Sequence, residues 1–166
     1  MSIVVGLITK HHIVLAADTQ ETAGKQKNLQ DSKLFMTTLG ICGFVGHAEA
    51  QYRVKELLDL NPDPTQIVNW PVEDWGCFYF TADGQNYEID SPGIIGFFDN
   101  RKIVACGSGQ HYALGGITAY CHARKIHSLE DCSLKTLINI AHAGASSAIH
   151  WDVECGGEVE TLYMKL

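Results

Sequence analysis

The sequence predicts an α+β protein in which sheets carry helices on their outer faces. Its first third is made of short β-branched runs separated by turn residues, as in Ile3 to Thr9 and Ile13 to Ala17. Apolar residues at helical spacing recur in three later stretches, one after Gly46 and two after Gly109. The resulting order is strands, helix, strands, two helices, strand. A doubly wound sheet would alternate strand and helix strictly, so layered sheets with helices outside fit better.

Ile3 to Thr9 and Ile13 to Ala17 form a hairpin around Lys10-His11-His12, and Lys33 to Thr38 with Ile41 to Val45 repeat it around Leu39-Gly40. His47 to Leu60 places Ala50, Val54, Leu57 and Leu58 on one helical face, and Asn61-Pro62-Asp63-Pro64 ends it. Thr65 to Trp75 is interrupted by Pro71 and suits either a short helix or an ordered loop. Gly76 to Thr81 and Gln85 to Ile89 join through Ala82-Asp83-Gly84 as a third hairpin. Gly93 to Phe98 and Lys102 to Cys106 read as strands flanking Asp99-Asn100. A helix follows Gly107-Ser108-Gly109 to about Lys125, with Tyr112, Leu114, Ile117, Tyr120 and Cys121 on its apolar face. Ser133 caps a last helix to about Trp151, in which the small residues Ala143 to Ser147 suit close helix packing. Glu158 to Leu166 alternates and closes a sheet.

At 166 residues the chain suits one domain, 1–166, that buries about two thirds of its unfolded surface. With 46% hydrophobic and 19% charged residues it is short of surface charge, which suggests that other subunits cover part of it. A net charge of -7 disfavours nucleic acid, since phosphate neutralisation needs clustered Lys and Arg, and it disfavours a membrane surface too. The apolar Ile3 to Ile8 run has no basic lead and is too short for a secretory segment, so a cytoplasmic location is expected. The cysteines at 42, 77, 106, 121, 132 and 155 form no Cys-x-x-Cys pair and suit free thiols in a reducing compartment. His11 and His12 point to opposite strand faces, and His122 and His127 share no helical face with a further ligand. No metal or other cofactor is expected.

The chemistry is concentrated at the start. If Met1 is removed, Ser2 carries both a hydroxyl and a free α-amine, with Asp18 and Lys33 following. A hydroxyl is a poor nucleophile until a base takes its proton, and an α-amine with a pKa of about 8 can be that base. No propeptide is expected ahead of Ser2, so its exposure is expected to depend on an aminopeptidase, which a small second residue permits.

Ala16-Ala17-Asp18-Thr19-Gln20-Glu21-Thr22-Ala23-Gly24 resembles the Ala-Ala-Asp-Ser-Arg-x-Thr-x-Gly segment of proteasome β subunits and their bacterial relatives. Cys42 to Glu49 is similar to the strand and glycine before that family's first helix. Ala105 to Gly115 resembles its Gly-Ser-Gly-x-x-Tyr-Ala helix start, and Ala148 to Gly157 its Asp-x-x-Ser-Gly-Gly segment. The four motifs stand in the family's order and cover nearly the whole chain.

This resemblance implies the four-layer αββα sandwich of N-terminal nucleophile hydrolases, two antiparallel sheets flanked by helices. It implies roles as well. Ser2 would be the nucleophile, Lys33 the cation that lowers its hydroxyl pKa, and Asp18 the carboxylate that orients Lys33. The Gly46 N–H would donate to the oxyanion, and Ser108, Asp152 and Cys155 would form the polar shell around the amine. The chain departs from the family in offering serine for threonine at the nucleophile and Cys155 for serine. After Leu60 the long second helix is replaced by the Pro-broken Thr65 to Trp75 stretch, in a region that serves contacts between stacked rings in the family.

Each residue also has a plainer reading. Asp18 and Thr22 suit a polar strand end and turn, Lys33 an exposed strand start, Ser108 a helix N-cap, and Asp152 with Cys155 a turn before the last strand. Three function classes follow. One is a proteasome-like peptidase acting on a peptide or protein substrate, as a homo-oligomeric ring with or without an ATP-driven unfoldase. Another is a catalytically silent ring-forming or binding subunit of the same fold. The third is an amidohydrolase or transpeptidase with a small or single protein substrate.

Overall fold

The computed structural model describes residues 2–23, 26–29, 32–60, 75–91, 94–97 and 102–166, with the backbone alone at 21–23, 26–29 and 94–97. The expected Thr65 to Trp75 stretch and shortened second-helix region fall outside these residues up to position 74, as do Asn61 to Pro64, Asp99-Asn100 and the side chain of Thr22.

Two sheets organise the described residues. The first contains β1 (Ile3–Ile8), β2 (His12–Asp18), β10 (Ile103–Gly107) and β11 (Val159–Lys165), in the order β10-β1-β2-β11. The second contains β5 (Leu34–Met36), β6 (Gly40–Val45), β7 (Gly76–Thr81), β8 (Asn86–Asp90) and β9 (Ile94–Phe97), in sequence order. Both are antiparallel throughout. A separate ribbon pairs β3 (Gln20–Ala23) with β4 (Gln26–Leu29), a hairpin that the sequence reading did not include. Its Gln-Glu-Thr-Ala and Gln-Lys-Asn-Leu strands are polar, so they lack the apolar alternation by which strands are recognised.

β1 and β2 are buried along almost their whole length, as expected for strands covered on both faces. Ile3, Val5, Leu7, Val14 and Ala16 point to α2 (Gln110–Ala123) and α3 (Leu134–Trp151). Val4, Ile13, Leu15 and Ala17 point the other way, onto Leu34, Ile41, Phe78 and Phe80 of the second sheet. Beyond that sheet, Cys42, Phe44, Cys77, Tyr79 and Ile89 pack against Ala50, Val54 and Leu58 of α1 (Ala48–Leu60). Helices, sheet, sheet, helix: the predicted αββα layering is present. Each fully buried Leu, Ile or Phe in these layers contributes about 1.5–3 kcal/mol of transfer free energy.

Close approach between layers rests on small residues. A Cβ at Gly43 would lie 2.5 Å from Val4 Cγ1, across the gap between the sheets. One at Gly144 of α3 would lie 2.8 Å from Ile117 of α2, so the small-residue run there does serve helix packing. The apolar face of α2 is rotated from the expected one. Ala113 and Ile117 are buried while Tyr112 and Leu114 are 47% and 38% exposed, because the face turned to α3 carries Ala113, Gly116 and Ile117, with Gly144 and Ser147 opposite them. β9 and β10 belong to different sheets, so the chain crosses from one layer to the other between them. No helix among the described residues is long and apolar enough to cross a membrane.

Candidate active site

Asp18 ends β2, the strand paired with β1, and so lies beside the first residues of the chain. Its Oδ1 accepts from the Ile3 N–H at 2.9 Å and from Lys33 Nζ at 2.6 Å, and its Oδ2 accepts from the Gly156 N–H at 3.1 Å. Three donors from distant parts of the chain converge on one carboxylate, which is 1% exposed. Lys33, just before β5, is itself buried, and its second hydrogen bond goes to the Gln20 carbonyl at 2.7 Å. The exposed strand-start reading therefore fails for this lysine. Burial is the largest influence on it and holds its pKa below the ordinary 10.5, against the opposing pull of Asp18.

Ser2 is buried at the entry to β1. Gly107, which pairs with Ile3 across β1 and β10, has a φ of 104°, and any Cβ there would collide with the Ser2 carbonyl. Both facts require glycine, for the left-handed backbone and for the close approach. Ser108 follows immediately. The N-cap of α2 is Gly109, without a side-chain cap bond, so the Ser108 hydroxyl does not serve as the helix cap that one reading gave it. It stands 3.9 Å from Cys155 Sγ instead, and it helps to hold the Asp152 carboxyl below its ordinary pKa.

Asp152 is the C-cap of α3. Its Oδ1 accepts from the Glu154 N–H at 3.0 Å and its Oδ2 from Cys155 Sγ at 3.5 Å. Burial works against the Asp152 carboxylate. Hydrogen bonds from Ser108, the Glu154 N–H and the Cys155 thiol outweigh it and keep the pKa below the ordinary 3.8. Cys155 behaves in the opposite sense: burial first, then the charges of Asp18 and Asp152, push its thiol up to about 12. At neutral pH it is a protonated, uncharged member of the cluster.

The structure thus brings six of the seven expected residues into two joined groups. Asp18 and Lys33 form one, with Ser2 adjoining through Ile3. Ser108, Asp152 and Cys155 form the other, and the Gly156 N–H ties it to Asp18. Gly46 is connected through β6, whose Phe44 N–H donates to the Lys33 carbonyl at 2.9 Å. It has a φ of 136° and lies exposed between β6 and α1.

Further supports were not named from the sequence. Gln51 on α1 donates through Nε2 to the Ser32 carbonyl at 2.6 Å and so holds the chain just ahead of Lys33. Gln20 and Gly156 interlock, since a Cβ at Gly156 would collide with Gln20 Oε1. Gln20 stands where the resembled motif has arginine, and that difference was the signal available in the sequence.

No protein-family model and no curated protein matches the sequence. Solved structures do match. Eukaryotic HslV from Trypanosoma brucei aligns with a TM-score of 0.75 at 18% identity, over 99% of this chain and 99% of that one. Thiobacillus denitrificans BPH in complex with epoxomicin aligns at 0.72 and 18% identity, over 99% and 98%. A further structure of that BPH gives 0.70, 18%, 99% and 98%. At this identity the likeness concerns the fold. The chain therefore has the proteasome-like fold of the N-terminal nucleophile hydrolases.

Proposed function

We propose that the protein is an amide-bond hydrolase of the proteasome type, acting on peptides or proteins through Ser2 once Met1 has been removed. The observation that carries this reading is the buried Lys33 and Asp18 pair, which also grips the backbone next to Ser2. A buried cation held by a carboxylate and a carbonyl has a fixed position, and from there it would favour the alkoxide over the hydroxyl of Ser2. The α-amine of Ser2 would take the hydroxyl proton. Oγ would then attack the scissile carbonyl, with the Gly46 N–H donating to the oxyanion. The amine, oriented by Ser108, Asp152 and Cys155, would return the proton to the leaving amide nitrogen. Water would then hydrolyse the acyl-enzyme.

The proteasome-like fold supports assembly as a homo-oligomeric ring, which would keep a degradative site away from bystander proteins. Turnover of fluorogenic peptides tests the roles: Ser2→Ala should abolish it, and Lys33→Ala should lower kcat by about 10²–10⁴-fold. Unchanged turnover in either variant would refute the assignment. A second reading holds for any chain that keeps Met1. Residue 2 then has a peptide nitrogen in place of an amine, and the protein would be a silent subunit of the same fold.

A further inference from the structure

We propose that Gln20 is a positioning residue of this site, holding the segment that carries Cys155 against the Lys33 and Asp18 pair. The proposal rests on the reading of Ser2, Lys33 and Asp18 as the reacting set. Gln20 is buried at the head of β3, two residues past Asp18. Its polar groups reach both halves of the site. The carbonyl accepts from Lys33 Nζ at 2.7 Å, the backbone N–H donates to the Gly156 carbonyl at 3.0 Å, and Nε2 donates to the Glu154 carbonyl at 3.3 Å. Gly156 returns a hydrogen bond to Asp18 Oδ2, and the Glu154 N–H donates to Asp152 Oδ1. Lys33, Gln20, Glu154, Asp152, Cys155, Gly156 and Asp18 thereby close a ring of contacts.

The side chain and Gly156 are matched in shape, because any Cβ at Gly156 would occupy the position of the Gln20 amide oxygen. The backbone bonds of Gln20 survive substitution, so a side-chain variant isolates the grip on Glu154 and Gly156. The neighbouring tie between Thr19 and Glu158, in which Thr19 N–H donates to the Glu158 carbonyl and Glu158 N–H to Thr19 Oγ1, is left in place. With the grip gone, Cys155 and Asp152 are free to shift relative to Lys33, and a displacement of about 1 Å in a catalytic constellation costs about a hundredfold in rate.

Gln20→Met keeps the shape and removes the donor. Hydrogen exchange of the Gly156 amide in the native protein should be at least about tenfold faster in this variant. Peptide turnover should show kcat lowered by about tenfold to a hundredfold, KM unchanged and the acid limb of the pH profile displaced. In a double-mutant cycle, Gln20→Ala should relieve the exchange defect of Gly156→Ala. Unchanged exchange in Gln20→Met overturns the grip. Faster exchange with wild-type kcat and pH profile overturns the positioning role. If the wild-type protein, freed of Met1, hydrolyses nothing, the hydrolase reading falls and the positioning role with it, while exchange still decides whether the grip exists.

Discussion

Lys33 Nζ and Asp18 Oδ1 stand 2.6 Å apart with both side chains withdrawn from water. Such a pair gains less than its Coulomb energy suggests, because both ions are desolvated, but removing one partner strands the other. Asp18 has more to lose, since it also holds the Ile3 and Gly156 N–H groups. Asp18→Ala should destabilise the fold by about 3–5 kcal/mol in urea denaturation. Lys33→Met should cost less, because those two N–H groups continue to serve the carboxylate. The reverse order would mean that the carboxylate does not organise the site.

The buried thiol of Cys155 gives stability a defined pH dependence. Its folded pKa, about 12, lies above the ordinary 9.0, so the folded state holds the proton more tightly than the unfolded state. That contribution is complete below pH 9.0 and is lost as pH rises toward about 12. Lys33 acts in the opposite sense, since its lowered pKa makes stability rise with pH up to the ordinary 10.5. Comparing the wild type with Cys155→Ala at pH 8 and pH 10.5 separates the two, and the variant should lose less stability on going alkaline. An identical loss would remove Cys155 from the titration.

The layers were legible because their signals are local. β-branched runs gave β1 and β2, the turn at Leu39-Gly40 gave β6, the Asp83-Gly84 turn gave β7, and Ser133 announced α3, where its hydroxyl does accept from the Thr136 N–H at 3.2 Å. Asp18 and Lys33 were legible as candidates from their motif, although their burial and their shared hydrogen bonds depend on contacts between distant segments. The interlock of Gln20 with Gly156 was not legible. It joins positions 136 residues apart through one amide and the absence of a Cβ, and neither leaves a periodic trace. The exposed faces of Tyr112 and Leu114 were missed for a related reason, since spacing reports a helical face but not how closely a neighbouring helix approaches it.

Gly107→Ala should affect Ser2 before it affects the core. The new Cβ meets the Ser2 carbonyl on a backbone that L side chains rarely adopt, a strain of about 1–3 kcal/mol. Hydrolysis should fall by about a hundredfold while the near-ultraviolet circular dichroism stays native. Wild-type turnover in a folded Gly107→Ala protein would show that Ser2 tolerates displacement.

Gly43→Val tests the spacing of the sheets. With only 2.5 Å available to a Cβ beside Val4, overpacking should cost about 1–3 kcal/mol and lower Tm. Pairing it with Val4→Ala should recover part of that loss. Additive losses in the double variant would place the two residues out of contact.

The proposed chemistry requires a free amine on residue 2 next to its hydroxyl, and the intact mass of the natively folded protein reports directly whether it is there. The preparation that hydrolyses peptides should have a mass lacking Met1, and no fraction that retains Met1 should hydrolyse them. Turnover by protein that still carries Met1 would contradict that chemistry.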